Sequence, residues 1–289
     1  MENEKNKNKF VIYYANELAR KNNQFTLEEE KVLHLIFSQI KPFEKNPTTF
    51  KIEKKEFFRK LNLVDNNKYK RYEKIILELI SKTLTKIEKK DTDSKLIGVV
   101  ICNAEWFNKE PFFEVDINPK FMPYIEQLIN HYTKVSLDSL LNLKSKHSLT
   151  LYKWLCSWTD ENKKINQRYI KTKELKELLG LYIDDYVYKG KFNRADFERY
   201  TLKKIEKEIN SKTSLIFSYK KNKIGNKVQN YEFTWIHKEK SAISKKTKKQ
   251  VSLFDLEKES QKQQNTISQE KVNCMLKNID KDSKVVFDN

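Results

Sequence analysis

One pattern occurs twice in this chain, and it restricts the possible folds more than any other feature. Ile52, Lys55, Glu56, Phe57, Leu61, Asn62 and Leu63 follow the spacing I-x-x-K-E-[FL]-x-x-x-L-[NG]-L. Ile170, Lys173, Glu174, Leu175, Leu179, Gly180 and Leu181 follow it again. A second match lies downstream in the same order, Ser81-Lys82-Thr83 and Ser211-Lys212-Thr213. Chance supplies one such match easily; two in order on the same predicted elements point to duplication. Around each copy the apolar spacing predicts a strand, a short helix, a turn, a longer helix and then strands. That is the order of a helix-turn-helix followed by a hairpin wing. The expected fold class is α+β, with two tandem winged-helix domains related by internal duplication.

Local signals place the boundaries. Residues 1–24 are expected to be a polar lead-in with one apolar patch, Phe10 to Ala15. Thr26 suits a helix N-cap, and Glu29 completes a capping box. Val32, Leu35, Ile36 and Ile40 then recur at helical spacing as far as Pro42. A strand is predicted over Thr49–Ile52, and helices over Lys54–Leu61 and Tyr69–Lys82. Strands at Leu84–Glu88, Leu96–Ala104 and Phe112–Ile117 complete a first domain over residues 25–135. Helices follow at Phe121–Asn130, Leu137–Leu143 and Lys146–Thr159, then an extended piece at Tyr169–Lys171. A helix from Lys173 to Leu179 is capped by Thr172 and stopped by Gly180. A longer helix over Arg194–Asn210 precedes two strands, Ser214–Tyr219 and Val228–Ile236, with a turn near Gly225. The second domain is thus 136–237, and 238–289 is a Lys-, Gln- and Ser-rich tail.

Charge narrows the function. Lys and Arg outnumber Asp and Glu by 58 to 40, a formal charge of +18. Lysine drift in an A+T-rich genome is the bland explanation, but drift raises Glu alongside Lys. A globular chain this cationic is expected to hold nucleic acid by counterion release. The duplicated pattern says where. In a helix-turn-helix the second helix enters the major groove. In the second domain Phe197, Thr201, Leu202, Ile205 and Ile209 fall on its core side. Asn193, Arg194, Arg199, Tyr200, Lys203 and Lys207 are left to face DNA. Arg suits guanine O6 and N7, whereas Lys more often meets phosphate. Lys220, Lys221, Lys223 and Lys227 belong to the hairpin wing, and Lys68, Lys70, Arg71 and Lys74 to the corresponding helix of the first domain.

Catalysis finds little support. His34, His131, His147 and His237 are scattered, without the close array a rolling-circle nickase needs. The four glycines, Gly98, Gly180, Gly190 and Gly225, form no phosphate loop. Cys102, Cys156 and Cys274 have no zinc spacing and are too few for a disulfide framework, which implies a reducing cytoplasm. Met1 to Lys9 lacks the apolar core of a secretory signal, and the apolar run Ile97–Cys102 is far too short to span a membrane. The expectation is a cytoplasmic, DNA-associated protein with no enzyme activity, no cofactor, no metal and no membrane partner.

Several segments resemble one family. Asn16-Glu17-Leu18 with Phe25-Thr26-Leu27-Glu28-Glu29 resembles the opening of the iteron-binding plasmid replication initiators. So do Leu143-Lys144-Ser145-Lys146 with Leu149-Thr150-Leu151-Tyr152, Leu175 to Gly180, and Phe192 to Thr213. The resemblance spans residues 10–237. It implies two winged-helix domains, the second reading directly repeated origin sites, the first serving dimer formation and auxiliary DNA contact. It also implies origin opening, recruitment of a replicative helicase, and autorepression by a homodimer at an inverted repeat. The chain departs from the pattern at Ile183-Asp184-Asp185-Tyr186, which sets two acidic residues near the expected DNA face. In the tail, Gln250-Val251-Ser252-Leu253-Phe254 resembles the bacterial sliding-clamp-binding pentapeptide, differing at Val251. Gln250, Ser252, Leu253 and Phe254 are its candidate contacts, a Leu-Phe pair being suited to an apolar pocket. A winged-helix transcriptional regulator would share the DNA chemistry but has no use for that pentapeptide.

Overall fold

A computed structural model describes residues 11–20, 25–41, 44–62, 67–82, 84–89, 94–125, 132–224 and 227–238. The tail and its pentapeptide lie outside the described residues, as do Gly225 and Asn226.

The first domain runs β2 (Thr49–Glu53), α3 (Lys54–Lys60), α4 (Lys68–Ser81), β3 (Leu84–Lys89), β4 (Ser94–Gly98), β5 (Ile101–Trp106) and β6 (Phe112–Ile117). The second runs β8 (Asn166–Lys171), α7 (Thr172–Leu179), β9 (Val187–Tyr188), β10 (Lys191–Phe192), α8 (Arg194–Phe197), a π-turn Glu198–Leu202, α9 (Lys203–Lys212), β11 (Leu215–Ile224) and β12 (Lys227–His237). Their three-stranded sheets have the same topology. The strand before the helix pair joins the last strand of the wing, giving the orders β2-β6-β5 and β8-β12-β11. Even the register corresponds: Ile52 faces Phe113 and Ile170 faces Tyr231. All four side chains are buried.

The [NG] position of the repeat has a backbone cause. Asn62 has φ 56° and Gly180 has φ 69°, both left-handed, a conformation Gly and Asn adopt at lowest cost. Phe57 and Leu175, five residues after the shared Ile, are both buried. Each short helix therefore packs one apolar face, then turns sharply so that the longer helix crosses it.

Several expectations need correction. The strand after Ser81-Lys82-Thr83 is not the wing: β3 and β4 form a separate inserted hairpin, whereas β11 after Thr213 is the wing itself. The single strand expected over Leu96–Ala104 is two, β4 and β5, broken at Val99–Val100. The helix expected at Phe121–Asn130 is a 3-10 turn, Met122–Tyr124, and residues 126–131 lie outside the described set. Thr172 does not cap its helix: Lys171 is the N-cap, and Thr172 Oγ1 is buried without a hydrogen-bond partner. The Thr26 capping box forms as expected, with Oγ1 accepting from the Glu29 amide at 3.3 Å and Glu29 accepting from the Thr26 amide at 2.8 Å.

The expected lead-in also contains structure. β1 (Val11–Ala15) pairs antiparallel with β7 (Tyr132–Ser136), and α1 (Asn16–Ala19) follows directly. Ile12 and Tyr14 point into the core on alternate positions. The partner strand is more than a hundred residues away in sequence, so no local signal announces it. α2 (Leu27–Phe37) packs on α4, and α5 (Leu137–Asn142) packs on α2. α6 (Lys146–Ser157) touches α1 and β7 on one side, α7 and α9 on the other. Every residue from Ser148 to Ser157 is buried, as a helix enclosed all round must be. One hydrophobic core therefore runs through both domains by way of α6.

A buried ion pair fixes that connecting helix. Lys153 Nζ lies 2.8 Å from Glu30 Oε2, each side chain 2% exposed. His34 Nδ1 sits 3.6 Å from the same carboxylate oxygen. Burial pushes the His34 imidazole down to about 4, and the Lys153 charge adds to it, so the ring is neutral at pH 7. Burial pushes the Glu30 carboxyl up, but the Lys153 ammonium, together with His34 and Lys146, holds the group below its ordinary value. At the end of α6, Trp158 lies between two guanidinium groups, Arg20 at 3.5 Å and Arg168 at 3.4 Å from its ring centroid. Arg20 also donates to the Ser157 carbonyl at 2.7 Å.

Candidate nucleic-acid interface

The long helix of the second domain begins at Asn193. Its Oδ1 accepts from the Asp196 amide at 3.1 Å, and its Nδ2 donates to the Asp196 carboxylate at 2.8 Å. Asn193, expected at the DNA face, is thus engaged in capping the helix. Arg194 was expected to point outward and is half-buried. Its guanidinium lies 5.6 Å from the Phe192 ring, and its Nε is enclosed without a partner. The cause is the β9–β10 hairpin, which folds over the helix start; helical periodicity carries no trace of it.

Beyond that point the helix behaves as its spacing predicts. Phe197, Thr201, Leu202, Ile205 and Ile209 are all buried. Arg199, Tyr200, Lys203 and Lys207 are exposed on the opposite face. The π-turn Glu198–Leu202 sits at the first of them, a local widening that recurs at functional positions. Lys204 belongs to the same group, though sequence reasoning passed over it. Its ammonium lies 5.7 Å from the Tyr200 ring and the Arg199 guanidinium 5.4 Å from that ring. The i, i+4 spacing of Tyr200 and Lys204 was the available signal. Arg199, Lys203, Lys204 and Lys207 form no ion pair among the described residues.

The wing is mixed. Lys220 and Lys223 are exposed on β11, near a bulge at Asn222/Lys223. Lys221 instead pairs with Glu198 at 2.9 Å, and Tyr231 donates to the other Glu198 oxygen at 3.0 Å. Lys221 therefore ties the base of the wing to the helix, and its charge is compensated. The Lys227 side chain lies outside the described residues.

The first domain's helix is differently charged. Arg71 is paired with Glu28, and Lys74 lies 3.9 Å from Glu78. Lys68 rests near the Phe58 and Tyr69 rings at 5.6 and 5.5 Å. Lys70 is exposed. Counting back from the matched serines Ser81 and Ser211, buried Tyr72, Ile75 and Leu79 correspond to buried Leu202, Ile205 and Ile209. By that count Glu73 and Leu77 stand where Lys203 and Lys207 stand in the second domain.

Among the described residues, no group of three or more His, Cys, Asp or Glu is placed to hold a metal ion, and no helix is long and apolar enough to cross a membrane.

The chain is similar to known proteins. The family model described as Initiator Replication protein, WH1, matches residues 11–156, and that described as Initiator Rep protein, WH2, matches residues 171–235. The WH1 match takes in β1 and most of α6. A curated replication initiation protein of Escherichia coli is 24% identical over 219 residues, covering 71% of this chain. The chain spans 63% of that relative's length. The Pi initiator protein, crystallised in complex with iteron DNA, matches with a TM-score of 0.66 at 22% identity. That match covers 80% of this chain and 98% of the Pi chain and establishes a common fold.

Proposed function

The chain belongs to the replication-initiator family whose WH1 and WH2 models it matches, and from this we propose that it is a plasmid replication initiator binding directly repeated origin DNA. The observation that carries the reading is the outer face of α8 and α9. Arg199, of the π-turn between them, and Lys203, Lys204 and Lys207 are exposed there with no ion pair among the described residues, beside exposed Lys220 and Lys223 of the wing. Cations not already neutralised by the protein's own acids exchange directly with the counterions of a duplex. The matched Pi structure contains iteron DNA, which supports the same class of ligand.

In this reading the second domain carries the base-specific contacts and the first adds phosphate contacts. Several copies bound side by side strain a neighbouring A+T-rich segment open. Bending a site of this size costs on the order of 1–6 kcal/mol, a sum that several phosphate contacts offset. Gln250, Ser252, Leu253 and Phe254 of the tail would bring in the sliding clamp, and the assembly a replicative helicase. A homodimer would repress the chain's own gene at an inverted repeat. The reading assigns no catalytic step and no cofactor.

Footprinting on the DNA flanking the gene tests the central claim, with protected direct repeats as the expected result. On that site Arg199→Ala should weaken binding by about 1–3 kcal/mol while leaving non-specific duplex nearly unaffected. Equal losses on both DNAs would remove Arg199 from base reading. Replacing Leu253 and Phe254 with Ala should abolish clamp capture and spare origin binding; capture that survives would discard the pentapeptide.

A further inference from the structure

The duplication gives the chain two equivalent grooves, each bounded by the short helix, the start of the long helix and the base of the wing. In the second domain the groove is filled by the chain itself. Lys176 donates to the Ile183 and Asp185 carbonyls, both at 2.8 Å, and Tyr186 OH meets Thr201 Oγ1 at 2.7 Å. In the first domain the described residues leave the groove open. It has a volume of about 790 Å³, with Phe58 and Trp106 at the positions of Lys176 and Lys221 and with Lys55, Arg59, Lys68 and Tyr69 around them.

The segment that fills the second groove also projects from it. Tyr182 is 76% exposed, Ile183 86% and Tyr188 61%, next to exposed Asp184. The projection is held in place. Asp185 accepts from the Tyr182 amide at 2.7 Å, and Tyr186 is kept at φ 62°, a conformation costly for a large side chain. Each chain thus carries a cationic groove on one domain, with buried Phe58 at its floor and half-buried Trp106 and exposed Tyr69 in its walls, and an exposed aromatic-aliphatic, acidic projection on the other. The projection's far turn bears Lys189 and Lys191, and the groove one acid, Glu110, so the complementary charges are Asp184 against Lys55 and against Arg59, whose own neighbour Glu56 lies 3.9 Å away.

We propose that copies of this chain on neighbouring direct repeats join head to tail, the Tyr182–Asp184 projection of one second domain entering the Phe58–Trp106 groove of the next copy's first domain. Such a contact uses two different surfaces, so it does not close into a ring by symmetry and continues in one direction. Directly repeated sites set successive copies in that same direction. The proposal rests on the reading that the chain binds direct repeats.

The test uses the full chain on duplexes carrying one or two of the repeats defined by footprinting. The wild-type chain should bind the second repeat about tenfold more tightly than the first. Ile183→Asp and Arg59→Glu should each reduce that enhancement to about onefold while single-repeat affinity stays within about twofold of wild type. Combining Asp184→Arg with Arg59→Asp in one chain should restore it. Enhancement that persists in both single variants, or a reversed pair that fails to restore it, would overturn the proposal. So would an equal loss on the single repeat, which would assign these residues to the DNA contact of one copy. Failure of the wild-type chain to bind any repeat would instead defeat the origin-binding reading. Both positions are exposed; if Ile183→Asp lowers the melting temperature, Arg59→Glu and the reversed pair decide.

Discussion

The two long helices share a buried face and differ on the face turned away from it. Tyr72, Ile75 and Leu79 repeat as Leu202, Ile205 and Ile209, so the same packing problem has been solved twice. On the outside, the first helix sets Arg71 against Glu28 and Lys74 near Glu78, and leaves Leu77 61% exposed. The second pairs Lys212 with Glu208 but leaves Arg199, Lys203, Lys204 and Lys207 without an ion pair among the described residues. Packing fixed the inner face in both copies, whereas the outer face was free to take different work. A cation already paired with a carboxylate gains little from a phosphate, since one ion pair is exchanged for another. That difference supports the second domain as the principal reader.

α6 joins the cores of both domains, and unfastening that helix should have the largest effect. Lys153→Ala leaves the Glu30 charge buried without its partner and should cost about 3–5 kcal/mol in urea denaturation. A loss below about 1 kcal/mol would show that the pair does not fasten the domains.

Acid should loosen the same junction. The His34 imidazole titrates near 4 in the folded chain and at 6.5 when exposed, so between those values the unfolded chain binds more protons. Stability is fully present above pH 6.5 and falls as the pH drops towards 4, by about 3 kcal/mol. Glu30, whose carboxyl is also lowered, acts in the same direction at more acid pH. Denaturation at a series of pH values should show the decline, and His34→Gln should flatten it. An unchanged profile in that variant would place the acid sensitivity elsewhere.

A smaller effect sharpens the contrast between the outer faces. Lys207→Leu should lower the slope of log affinity against log salt by about 0.9, one phosphate contact. Leu77→Lys in the first helix should leave that slope nearly unchanged if its outer face stands away from the duplex. A rise of about 0.9 would show both helices on the backbone.

The smallest effect concerns what the two copies share. Gly180→Ala forces a side chain into a left-handed position and should cost about 1 kcal/mol, whereas Asn62→Gly should change stability by only a few tenths, about 0.3 kcal/mol in either direction. Thermal melts of both variants distinguish the two. Equal effects would mean that the sharp turn is imposed differently in each domain.

Much of the second domain was legible because its signals are local. A repeated motif, a glycine at a helix end and an apolar face of period 3.6 each follow from neighbours within a few residues. The same holds for the Thr26 capping box and for Arg199, Lys203 and Lys207 on the outer face. What escaped depends on distant partners. β1 needs β7, and only that pairing shows residues 11–20 to be part of the core. Charge alone marks Arg194, Lys221 and Arg71 for the DNA face, yet each is engaged by a ring or a carboxylate that approaches from another element.

By itself the sequence determined the two winged helices, their order along the chain and the inward face of each long helix, because backbone preference and hydrophobic period are written residue by residue. The tertiary structure alone decided which cations remain unpaired, which groove stands open, and that α6 carries one core through both domains. Those outcomes depend on side chains far apart in sequence competing for the same partners and the same buried space.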